Sequence, residues 1–236
     1  MVGTDGLVID SEEFISEVKN EQLSAAASPY DHAQYAMVDY PVSYTTQSYK
    51  YVGYFKSLDS GRPQKLLGKY GCSVSAATIL MDKLNISPGA TGDDATLKAT
   101  YNKLWDYSGT TTMSTGQNFG KTISYGGTYD SKWPDALKKY AKEKNKTINA
   151  KYVQSPTFSQ MKSELDNNRN FIYGYDITKN NNNGHAIAVQ GYYIGKKGND
   201  THQFIVFADG WNVSSRYMNM STNAKYLNWS RMVVVW

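Results

Sequence analysis

Tyr70-Gly71-Cys72-Ser73-Val74-Ser75-Ala76-Ala77 holds the only cysteine of the chain. A glycine precedes the sulfur, and Val74, Ala77, Met81 and Leu84 then recur at helical spacing on one face. This predicts a helix over 72–85 that opens on Cys72. Unpaired N–H groups and the dipole at a helix start favour a thiolate, the form of cysteine that attacks a carbonyl carbon. Small residues at 73, 75, 76 and 77 allow the helix to pack closely against whatever lies behind it. The same octet also reads as a buried structural cysteine, because free cysteines are commonly buried. Segments further along the chain shift the balance.

Working outward, the stretch 1–35 is acidic at first (Asp10, Glu12, Glu13, Glu17) and then small and polar. It reads as an N-terminal extension or linker with a short helix around 11–26, ahead of one domain over 36–236. Aromatic and β-branched residues in 36–60 suggest strand and loop. Three helices are expected after the first: about 93–106 behind the acids Asp93 and Asp94, about 134–144 with Pro134 in its first turn, and about 157–167. The Gly/Thr/Ser-rich stretch 108–128 reads as a long surface loop. The period then changes. Short apolar strands are expected at 171–175, 185–194, 203–208 and 231–236, with turns at Asn180–Asn183 and Lys196–Thr201. Helices first and antiparallel strands later make an α+β domain.

The second informative segment is Gly184-His185-Ala186-Ile187-Ala188-Val189. A histidine at the mouth of an apolar strand is fixed by the sheet and still faces a cleft. Of the three histidines, His32 falls in the extension and His202 follows a polar turn, so His185 is the candidate base. The third segment is Phe207-Ala208-Asp209-Gly210-Trp211. An acid at the end of the next strand can reach the histidine and orient it, although Asp-Gly alone is equally a turn signal. Cysteine at a helix start, histidine on a strand and aspartate after the following strand form an ordered constellation for acyl transfer.

These motifs resemble the papain-like cysteine peptidase superfamily over roughly residues 60–212. Within it they are most similar to bacterial peptidases related to the double-glycine leader peptidases of bacteriocin export. There a Gly-Cys opens the central helix, a Gly-His opens a sheet strand, and an aspartate stands where papain has asparagine. The resemblance implies a central helix carrying Cys72 packed on an antiparallel sheet carrying His185 and Asp209, and Trp211 shielding the His–Asp bond. It also implies a glutamine before the cysteine as oxyanion donor. Gln64 lies eight residues upstream, Leu66 takes papain's glutamine position, and Gln64 reads equally as a surface loop residue. The implied activity is peptide hydrolysis through a thioacyl-enzyme, with cell-wall peptidoglycan amidase or endopeptidase activity, or a non-catalytic binding module, as alternatives.

Composition excludes other classes. The 236 residues carry a formal net charge of +4 with no basic stripe, which argues against nucleic acid as a partner. No apolar run approaches the roughly 20 residues of a membrane span. One cysteine precludes an internal disulfide and any multi-thiolate zinc site, and the chemistry calls for no metal or cofactor. The expected partner is a peptide or protein substrate, with cell-wall peptide a further candidate, acting on a monomer. The 20 tyrosines and many Asn, Ser, Thr and Lys suggest a secreted or cell-surface bacterial protein, with no signal peptide in the sequence given.

Overall fold

The computed structural model describes residues 41–53, 58–176, 184–211, 215–224 and 227–236. The expected extension over 1–35, its helix and the turn at Asn180–Asn183 lie outside the described residues. The elements are β1 (Thr45–Tyr51), α1 (Gly61–Leu67), β2 (Lys69–Tyr70), α2 (Cys72–Lys83), α3 (Asp94–Tyr107), β3 (Thr111–Asn118), β4 (Lys121–Gly127), α4 (Trp133–Glu143), β5 (Ala150–Gln154), α5 (Phe158–Asp166), β6 (Asn170–Asp176), β7 (Gly184–Lys197), β8 (Asp200–Ala208), β9 (Arg216–Asn219), α6 (Met220–Asn223) and β10 (Trp229–Val235). Short 3-10 turns cover Pro41–Ser43 and Asp130–Lys132.

Seven strands form an antiparallel sheet, six of them in the order β5-β10-β6-β7-β8-β9 and the seventh, β1, paired with β7. The long β7 pairs with β6 through its first half and with β1 through its second, with β8 along its other edge. One face carries Ile172, Ala186, Ala188, Val233 and Val235, and packs in one core with residues of α2, α3 and α4. The other face carries Phe171, Tyr173, Tyr175, Ile187 and Val189, covered by Met161 and Leu165 of α5. Alternation of side chains along each strand produces these two faces. The α+β, papain-like architecture expected from the sequence is the one observed, with the cysteine helix on the sheet. Alanines on both partners, Ala76 and Ala77 on α2 and Ala186 and Ala188 on β7, let helix and strand approach closely.

The stretch 108–128 is not a loop. It forms the β3–β4 hairpin, turned at Phe119 and Gly120, both with positive φ, and β4 pairs in parallel with β2. Both faces of β3 are largely exposed, so its sequence lacks the apolar alternation that marks a half-buried strand. Among the described residues α1, β2, β5, β9 and α6 were also not expected. The remaining helices match closely. Asp93 caps α3 by accepting from the Thr96 N–H at 2.8 Å, and Thr157 with Gln160 forms a capping box on α5.

The start of α2 is held differently. Gly71 is the N-cap residue and has no side chain to offer. The hydroxyl of Tyr101, from α3, instead binds the main chain of the N-cap residue itself: it accepts from the Gly71 N–H at 2.8 Å, donates to the Gly71 carbonyl at 3.1 Å and lies 3.3 Å from Ser75 Oγ. Tyr101→Phe leaves a buried main-chain donor without its acceptor. Urea unfolding should show a loss of about 1–3 kcal/mol, and an unchanged midpoint would remove Tyr101 from this role.

Candidate active site

Cys72 is the first residue of α2, and the residue surface is partly open to a cleft. Burial of the sulfur among packed neighbours pushes the thiol up to about 11. The main-chain N–H groups of Ala186, Ser73 and Cys72 work against this, while the nearby Asp130 carboxylate works with it. The sequence suggests a thiolate at rest because of the helix start. In the folded protein desolvation outweighs the helix amides, so these surroundings keep the proton on sulfur at neutral pH.

His185 is the second residue of β7, directly across from Tyr175 on β6 and 3% exposed. Its ring stacks on Trp211 with centroids 3.8 Å apart and planes at 11°, and meets the Tyr175 ring edge-on at 6.0 Å. Its Nε2 lies 2.9 Å from the main-chain carbonyl of Asp209. A carbonyl oxygen only accepts, so Nε2 carries the proton and Nδ1 carries the lone pair. Cys72 and His185 line the same cleft, of about 640 Å³.

Asp209 directly follows β8 and is buried. One carboxylate oxygen accepts from the Trp211 N–H at 2.8 Å, and the other lies 3.6 Å from Nε of the buried Arg216. Gly210 has φ +72°, a left-handed conformation that suits glycine, and Tyr70 donates to its carbonyl at 3.2 Å. Asp-Gly is therefore a turn, as its chemistry suggests, and the same turn brings the Asp209 carbonyl and the Trp211 ring to His185. The turn is in contact with the cysteine helix, since Ser75 Cβ comes within 3.3 Å of where a Cβ on Gly210 would sit.

Gln64 is not brought to the cleft. It lies on α1, 7% exposed, and its side-chain oxygen accepts from Asn118 at 3.0 Å, near the tip of the β3–β4 hairpin. Cys72 lies toward the other end of that hairpin, just past Tyr70, which pairs with Tyr125. The helix α1 holds the glutamine against Asn118, and it is not among the residues that line the cleft.

Asp130, Arg231, Trp229, Tyr152 and the glycine walls at 126–127 and 174 also line the cleft, and none stood out in the sequence. Asp130 reads locally as part of the polar start of the helix behind Pro134. Burial pushes its carboxyl up to about 6, partly offset by Arg231. Ser73 Oγ donates to Thr128 Oγ1 at 3.2 Å and ties the helix start to the cleft wall.

Residues 54–235 match the Peptidase_C39 like family. No curated protein matches the chain.

The electrostatics of Cys72 are open to direct measurement. A raised thiol pKa holds the proton, so alkylation by iodoacetamide should quicken by about tenfold per pH unit between pH 7 and 9. Asp130→Asn removes a negative charge beside the sulfur and should speed alkylation at pH 8, where Asp130 is ionised. A rate already flat from pH 6 upward would show a thiolate at rest and contradict this balance.

Proposed function

The chain belongs to the Peptidase_C39 like family, a family of papain-like cysteine peptidases, and on that premise we propose that it hydrolyses peptide bonds with Cys72 as nucleophile, His185 as base and Asp209 as the group that orients the histidine. The observation that carries this reading is one cleft shared by Cys72 and a histidine whose Nε2–H is already committed to the Asp209 carbonyl. In the neutral ring the other nitrogen, Nδ1, carries the lone pair, and the reading assigns it the thiol proton.

The steps follow from that tautomer. Because burial keeps Cys72 protonated, His185 Nδ1 accepts the S–H proton as sulfur bonds to the carbonyl carbon and the C=O pair moves onto oxygen. The Cys72 N–H at the start of α2 stabilises that oxyanion. Gln64, bound to Asn118, is given no part in this step. The intermediate collapses by breaking C–N, and the imidazolium returns its proton to the leaving amine. A water, deprotonated by His185, then attacks the thioester and releases acid and thiol. Asp209 acts through its main-chain carbonyl, while its carboxylate, beside Arg216 and the Trp211 N–H, holds the turn in shape. Trp211 covers the imidazole and keeps water from competing for the Nε2 proton.

The resemblance of the sequence motifs to double-glycine leader peptidases suggests the substrates to compare: a double-glycine leader peptide, casein and purified cell walls, assayed side by side. Cys72→Ala should abolish hydrolysis of whichever is cut, and His185→Ala should lower kcat by at least about a thousandfold. Mass spectrometry of an acid-quenched reaction should find the acyl group on Cys72. Hydrolysis that survives in Cys72→Ala would overturn the proposal.

A further inference from the structure

Three neighbouring strands present a row of residues beneath the cleft. Arg231 on β10 pairs with Gly174 on β6, and Gly174 pairs with Ala186 on β7. The Ala186 main chain faces the Cys72 sulfur closely enough for its N–H to favour negative charge there, and both residues line the cleft. Over the middle member of the row lies Asp130. A Cβ on Gly174 would stand 2.7 Å from one Asp130 carboxylate oxygen and 3.1 Å from the other. Adjacent strands are about 4.8 Å apart, so the carboxylate sits about one strand spacing from the nucleophile. Glycine at 174 is what leaves room for it.

Among the described residues this carboxylate has no hydrogen bond and no ion pair. The nearest candidate cation, Arg231, is directed elsewhere: its guanidinium lies 5.4 Å from the Trp229 ring centroid and donates to the Ser230 carbonyl at 2.7 Å. A half-buried carboxylate facing a cleft, whose nearest cation makes no ion pair with it and only partly offsets the loss of water, is a poor structural device. It is a good receptor for a cation delivered by a ligand.

We propose that Asp130 is a specificity-determining residue of this site, one that receives a lysine or arginine side chain of the substrate lying within one or two residues of the scissile bond. An extended peptide advances about 3.3 Å per residue, so the short distance from Cys72 to Asp130 fits that range. The inference rests on the peptidase reading above. The substrate's cation also neutralises the negative charge that opposes ionisation of Cys72, so the preferred substrate assists its own attack.

Two measurements test this. The first compares kcat/KM for matched peptides carrying lysine or its neutral isostere norleucine at each position flanking the cleaved bond. The wild type should favour lysine at one position by about tenfold or more. In Asp130→Asn the ratio should fall to within about twofold of one, Asp130→Glu should restore part of it, and Gly174→Ala, which crowds the carboxylate from below, should reduce it. A wild type without the preference, or an Asp130→Asn variant that retains it, overturns the inference. The second is binding of the same peptides to Cys72→Ala and to Cys72→Ala with Asp130→Asn, followed by calorimetry, which needs no turnover. If no peptide is hydrolysed but lysine peptides bind Cys72→Ala at least about tenfold tighter than the double variant, the peptidase reading fails and the cation site stands. Equal binding to both overturns the cation site.

Discussion

The close seating of the α2 N-terminus on β7 is the constraint from which the rest of the site follows. Alanines on both surfaces permit it, the Tyr101 hydroxyl binds the main chain of Gly71, which has no side chain to offer, and the Ala186 main chain faces the Cys72 sulfur. Once that contact is made, the residue before Ala186 is carried to the same cleft, and His185 has no freedom left in its main chain. The Asp209-Gly210-Trp211 turn is tied to the same helix by Tyr70 and by its contact with Ser75. Each part of the constellation is thus referenced to one packed interface and not to a mobile loop.

That interface has an electrostatic consequence. A helix start supplies amides that favour negative sulfur, but the packing that aims those amides also removes water, and removal of water dominates. In the proposed mechanism the resting group is therefore a thiol, and the histidine acts during attack and not before it. The tautomer of His185 is decided by a main-chain oxygen, which cannot donate, so the direction of proton flow is set without requiring any particular charge state of the Asp209 carboxylate. Stacking on Trp211 holds the ring plane and shields the hydrogen bond. In the proposed mechanism Asp130 is a negative group beside a sulfur that must itself become negative, an arrangement that Arg231 relieves only in part.

Much of the fold was legible because periodicity reports burial. Val74, Ala77 and Met81 mark α2, and the apolar runs around Phe171, Ile187 and Ile205 mark central strands that are buried on both faces. The β3–β4 hairpin was read as a loop for the converse reason: with Thr, Ser, Gly and Gln exposed on both faces, pairing of its main chain leaves no trace in side-chain pattern. Gln64 was placed by distance along the chain from Cys72, and about two turns of helix at 61–67, with a partner at Asn118, were not legible in that distance.

The sequence by itself determined the helix that opens on Cys72, the strand that opens on His185 and the Asp-Gly turn after the next strand, because each depends on residues that are neighbours along the chain. Only the tertiary structure decided which atom of Asp209 meets the histidine, how far burial lifts the thiol, and that Asp130 lies over Gly174 beside the nucleophile. Those outcomes depend on groups separated by dozens of residues, and on the water that their packing excludes.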